Sequence, residues 1–119
     1  MLLAYGDEQR LGAMSSSERE ALWKACLAND EALRESGHLL AVEGLERSCN
    51  AATVRVQHGD LSVSVGPLAE TKEQLIGIFT IIARDLNEAI QVAAQMPQVR
   101  GGPIEVRPIA TLDSFDTPR

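Results

Sequence analysis

Aromatic side chains are scarce in this sequence: Tyr5, Trp23, Phe79 and Phe115 are the whole set. Single-stranded nucleic acid is held by bases stacked on aromatic platforms and by a basic stripe that follows the phosphates. Neither is present. The eleven Lys and Arg residues are scattered among seventeen Asp and Glu, giving a net charge of −6, so direct nucleic-acid binding is not expected. Long apolar runs are missing too. Nothing approaches the ~20 consecutive apolar residues of a membrane span, and the N-terminal MLLAYGDEQR has neither the basic region nor the apolar stretch of a signal peptide. The expectation is a cytoplasmic protein with no membrane partner. Cysteine is limited to Cys26 and Cys49, without CxxC spacing, and a disulfide is not expected in that compartment. His38 and His58 stand on different elements and offer no recognisable metal-ligand spacing. No metal and no cofactor are expected.

What is present is enough for one domain. A chain of 119 residues removes roughly two thirds of its unfolded surface from water and needs no staples. Residues 1–6 read as a short apolar strand ended by the turn-like Gly6-Asp7-Glu8. Ser17 with Glu20 three residues on reads as a capping box opening a helix. Leu22, Cys26, Asn29 and Leu33, with Ala21, Ala25, Ala28 and Ala32, are spaced as its inner face. Glu20–Lys24 and Asp30–Arg34 are spaced as outer ion pairs, and Gly37 stops the helix. His38–Leu45 reads as a strand with a bulge at Gly44. Thr53–Gln57 and Leu61–Val65 alternate apolar and polar residues around His58-Gly59-Asp60, which predicts a hairpin with a three-residue connection and one wet side. Asp85 and Glu88 read as a second capping box. Leu86, Ala89, Ile90, Ala93 and Ala94 follow as an inward face, and Pro97 ends the helix. Ile104–Ile109 reads as the last strand. One domain is expected over residues 1–109, with residues 110–119 as a C-terminal extension.

The strand predicted at Leu75–Ala83 is unusual because it is apolar on both faces. Leu75, Gly77, Phe79, Ile81 and Ala83 take one side; Ile76, Ile78, Thr80 and Ile82 take the other. The element order is β-α-β, a hairpin, then β-α-β, which predicts an α+β fold: a ferredoxin-like subunit with an inserted β-hairpin. Its two helices cover one sheet face only. The second apolar face predicts a homodimer packed sheet against sheet.

The stretch GPLAETKEQLIGIF closely resembles DGPFAETKEQLGGFY, the signature of the DGPF family, a branch of the YCII-related proteins. MLLAYGDE, SEREAL, TVRV, RDLNEAIQVAAQMP and IEVRPI extend the likeness along nearly the whole chain. The resemblance implies a dimeric α+β barrel, small bacterial domains without an assigned function, and, for some relatives, association with sigma-factor-like transcription proteins. It also implies a His–Asp catalytic pair near the sheet cleft in the wider group. This chain carries Val65 where the signature has Asp, and Leu68 where it has Phe. Valine neither accepts a proton nor orients a histidine, which weakens the enzymatic reading.

Two functions follow as expectations. The first is a dimer that binds a small organic ligand in a cleft between sheets, with proton-transfer or lyase-type chemistry if it is an enzyme. The second is a non-enzymatic accessory domain acting with a transcription protein. Tyr5, His38, Glu70, Lys72 and Arg107 are the candidate ligand-binding residues: strand-borne polar tips, a histidine bordering the sheet, and the dense polar loop before Leu75. No catalytic residue is assigned. Gly66-Pro67 is expected to make the turn into that loop.

Overall fold

The computed structural model describes residues 1–113; residues 114–119, most of the expected C-terminal extension, lie outside the described part. Among the described residues six strands and three α-helices run in the order β1 (Leu2–Asp7), α1 (Glu8–Gly12), α2 (Ser16–Glu35), β2 (Leu39–Gly44), β3 (Ala52–Gln57), β4 (Asp60–Val65), β5 (Glu73–Ile81), α3 (Leu86–Ala94) and β6 (Ile104–Val106). β1, β2, β5 and β6 form one antiparallel sheet in the order β2-β5-β1-β6. That is the ferredoxin-like arrangement, with the two strand–helix–strand units interleaved. β3 and β4 pair with each other in a separate two-stranded sheet, the inserted hairpin.

One row of the four-stranded sheet shows why the core sits where it does. Val42, Phe79, Leu2 and Val106 lie side by side across all four strands. Leu2 and Phe79 are buried, with Ala4, Leu39, Ala93 and Met96 packed around them. Each large side chain of this kind contributes roughly 1.5–3 kcal/mol by leaving water. The neighbouring row, Glu43, Ile78, Leu3 and Glu105, faces the other way. Leu3 and Ile78 are only partly covered there and Ile82 is 56% exposed. The chain therefore leaves the second sheet face uncovered by its own helices.

Several expectations are corrected. The sequence after Gly6 does not turn: β1 runs through Asp7, whose carboxylate accepts the backbone N–H of Gln9 and Arg10 and starts the short helix α1. The capping box of α2 lies two residues earlier than expected. Ser15 accepts the Glu18 N–H at 3.2 Å while Glu18 accepts the Ser15 N–H. Three consecutive serines offer three registers, and the first is the one used. Leu22, Cys26, Asn29 and Leu33 do face the body, but Ala21, Ala25, Ala28 and Ala32 are exposed. Asp30 turns inward rather than pairing on the outer face, and is 8% exposed with Oδ1 unpartnered. The Glu20–Lys24 pair forms at 3.1 Å.

β2 has its irregularity between Leu39 and Ala41, not at Gly44. β5 starts and stops two residues before the expected bounds, and Ile76 is skipped in its pairing with β1. This bulge brings the Ile76 side chain over Gly6, whose missing Cβ would lie 3.0 Å from it, so Ile76 joins the core instead of the outer face. The inward side of α3 is Ala89, Val92 and Ala93; Leu86, Ile90 and Ala94 are exposed. Glu88 reaches past Asp85 to the Arg84 N–H, so only the Asp85 half of that box forms. β6 ends at Val106, three residues short of expectation. The hairpin connection has two residues, because Asp60 pairs with Gln57. His58 (φ 53°) and Gly59 (φ 83°) both take left-handed angles, as a primed turn requires.

Candidate functional site

The concavity of chief interest, about 580 Å³, opens where the end of β1, the start of α1 and the hairpin root meet the β4–β5 loop. Its charged lining is Asp7, Glu8, Glu70 and Lys72, with Ser48, Cys49, Thr71 and Gln74 beside them. Each side chain is held there by a local reason. Asp7 is fixed by capping α1. Glu8 reaches the 3-10 turn Ser48–Asn50, taking the Ser48 N–H at 2.7 Å and the Ser48 hydroxyl. The Ser48 hydroxyl, then the Ser48 N–H, pull the Glu8 carboxyl below its ordinary pKa; partial burial works against them and Arg47 adds to them. Glu8 is thus an anion near neutral pH and an acceptor, not a proton donor.

The opposite wall is a self-tied loop. Gln74 Nε2 donates to the carbonyls of Ala69 (2.9 Å) and Thr71 (2.8 Å), and the Thr71 hydroxyl donates to the Glu73 carbonyl at 2.7 Å. Lys72 Nζ lies 3.8 Å from Asp7 Oδ2 on an exposed side chain, a pair worth little to stability. Gly66 (φ 109°) makes the turn out of β4, an angle that favours glycine, and its N–H closes the hairpin on the Ala51 carbonyl at 2.7 Å. The Thr53 hydroxyl donates to the Gly66 carbonyl from the opposite strand. Val65 sits on the cleft rim, 87% exposed, where the signature would place a carboxylate.

Of the five residues singled out from sequence, the structure brings Glu70 and Lys72 together in this cleft and puts the other three elsewhere. Tyr5 lies on β1 and does not line it; its N–H donates to the Pro103 carbonyl. Arg107 pairs with Glu105 and borders a separate hollow of about 290 Å³ with Leu2, Asp85 and Ile109. His38 belongs to a chain of polar groups joining the end of α2 to the start of α3. Its Nδ1 is 2.7 Å from the Ser36 hydroxyl and its Nε2 is 3.3 Å from Glu88, which also holds Arg84. The Ser36 hydroxyl donates to the Leu33 carbonyl at 3.0 Å, so toward His38 it accepts. That leaves no activated nucleophile, despite a serine, a histidine and a carboxylate in line.

Sequence reasoning missed Asp7, Glu8, Ser48 and Cys49. The signal for the first two was an acidic pair directly after a strand, where a carboxylate caps a helix as readily as it closes a turn. Among the described residues, no group of three His, Cys, Asp or Glu side chains could hold a metal ion, and no helix is long and apolar enough to cross a membrane.

Six of the twelve cleft-lining residues come from the GPLAETKEQ stretch. A family model of the YCII-related domain matches residues 1–113. The chain belongs to the YCII-related family. An uncharacterised protein of Rhizobium meliloti (strain 1021) is 35% identical to it, over 98% of this chain and 96% of that protein. The similarity covers every element of this YCII-related chain, both the four-stranded sheet and the hairpin.

Proposed function

We propose that this YCII-related protein is a homodimer that binds a small, amine-bearing organic molecule in the cleft at Asp7 and Lys72. The observation that supports it is the charge balance of the lining: Asp7, Glu8 and Glu70 face one lysine. Three carboxylates against one ammonium favour a cationic or zwitterionic ligand over a simple carboxylate. Hydroxyl and amide groups from Ser48, Thr71 and Gln74 supply further polar partners around a hollow large enough for a metabolite. Binding is favoured over proton transfer, because Glu8 is held as the anion by Ser48 and the signature carboxylate is replaced by Val65.

Thermal denaturation against a panel of small amines and small carboxylates tests this reading. A ligand at a hundred times its dissociation constant adds about 2.7 kcal/mol, so an amine of the right shape raises the melting temperature by several degrees. Glu70→Gln, a change at an exposed side chain, weakens that amine about tenfold, or roughly 1.4 kcal/mol. A melt that no amine moves, or that carboxylates move equally, overturns the proposal. A sigma-factor-like protein co-purifying in that case points to the accessory role instead.

A further inference from the structure

The hairpin is the least covered part of the molecule. Val54, Val56, Leu61, Val63 and Val65 lie on one of its faces and are each 61–87% exposed. Thr53, Arg55, Gln57, Asp60, Ser62 and Ser64 hold the other face. An isolated two-stranded ribbon is marginal in water and needs a third layer against its apolar side. This alternation belongs to a half-buried ribbon, yet nothing in the described chain buries it.

We infer that the β3–β4 arm lays this apolar face on a second copy of the same chain, and that docking fixes the wall of the cleft formed by the arm's root. The inference rests on the dimer reading above and names the part of the chain that makes the contact. Three observations choose the occupant. The radius of gyration is 16.7 Å, against about 13.5 Å for a compact domain of this length, so the arm stands away from its own body. The accessible surface is 8802 Å², whereas a compact 12.9 kDa monomer exposes about 6,300 Å². Residues 114–119 account for at most about 1,000 Å² of the excess, even if wholly exposed. The remaining ~1,500 Å² per chain, doubled, falls within the 2,000–5,000 Å² of an obligate homodimer.

The alternatives fit less well. Residues 114–119 carry one large apolar side chain, Phe115, too little to cover five. A net charge of −6 disfavours an anionic lipid surface. A second copy, by contrast, brings its own half-covered apolar sheet face, with Leu3, Ile78 and Ile82. The link to the cleft is direct, since Ser48 and Cys49 precede β3, Val65 ends β4, Gly66 and Pro67 follow it, and all five line the cleft.

Sedimentation velocity over a range of concentrations tests the inference on the whole chain. Wild type should weigh about twice 12.9 kDa, and the double variant Val56→Lys, Leu61→Lys should weigh 12.9 kDa with an unchanged far-UV circular dichroism spectrum. Ile78→Lys, on the outer sheet face, separates the two ideas. If Ile78→Lys dissociates the dimer and the arm variant does not, the arm inference falls while sheet packing stands. If both variants dissociate it, the arm stands, seated on the partner's sheet face; if only the arm variant does, the arm stands and sheet packing falls. A monomeric wild type overturns both. Should the double variant be insoluble, Val63→Ser alone must raise the dimer dissociation constant at least tenfold. The cleft half is read at Cys49 in a Cys26→Ser background. Labelling by a neutral maleimide should slow at least threefold as the Cys26→Ser protein passes from monomer to dimer, and a rate blind to assembly overturns that half.

Discussion

Gly102 occupies a position where no side chain fits: a Cβ there would lie 2.0 Å from the Tyr5 carbonyl oxygen and 3.2 Å from Gly6 Cα. The obstacle is backbone of the central strand and cannot swing aside. Gly102→Ala should therefore cost about 1–3 kcal/mol in urea denaturation, at the upper end of that range. Gly12→Ala, in open space at the end of α1, should be neutral or gain up to about 1 kcal/mol. Asp30 offers a second test. Burial pushes its carboxyl above the ordinary value and Arg34 only partly offsets this. A carboxyl so raised loses its relative advantage as pH climbs through its folded pKa, where it ionises inside the protein with one oxygen unpartnered. Asp30→Asn should stabilise the protein by on the order of 1 kcal/mol at pH 7. Melting curves from pH 3 to 7 should show the gap closing as wild type becomes protonated. The inward set Leu22, Cys26, Asn29 and Leu33 was legible because helical periodicity places it. Asp30 was not, since an aspartate four residues before an arginine reads equally well as a surface pair.

Among the elements, α2 makes the sharpest comparison of pattern with geometry. The run of serines announces a helix start but not which hydroxyl is used. Ser15→Ala should cost about 1 kcal/mol, while Ser17→Ala should change stability by a few tenths; chemical denaturation of the two variants decides the register. The order of the six strands and of helices α2 and α3, the cap at Asp85 and the stop at Gly37 could be read from local chemistry, while the short helix α1 was hidden behind a turn-like Gly6-Asp7-Glu8. The bulge at Ile76 could not. It goes with the passage of the Ile76 side chain over Gly6, about seventy residues away, and no two-residue alternation records that. For the cleft, the polar loop carrying Glu70 and Lys72 was visible as a motif. Its partners Asp7, Glu8 and Ser48 come from two other segments and meet it only in the folded chain.

At the scale of the molecule, the hairpin face and the outer face of the sheet are two apolar surfaces turned to water. If both are covered by a second copy, assembly is linked to folding. The melting temperature should then rise by several degrees between about 1 and 100 µM chain, as mass action requires when the native state binds its twin. Calorimetry that shows no dependence on concentration counts against the dimer.

The sheet order has a consequence for how the chain is made. β1 lies in the interior of the sheet, and its two neighbours, both later in the chain, are β5, beginning at Glu73, and β6, beginning at Ile104. A nascent chain on the ribosome must keep β1 unpaired on one side until β5 has emerged and on the other until β6 has. Such high contact order makes folding slow, and the waiting strand, Leu-Leu-Ala-Tyr, is the segment a chaperone would be expected to shield.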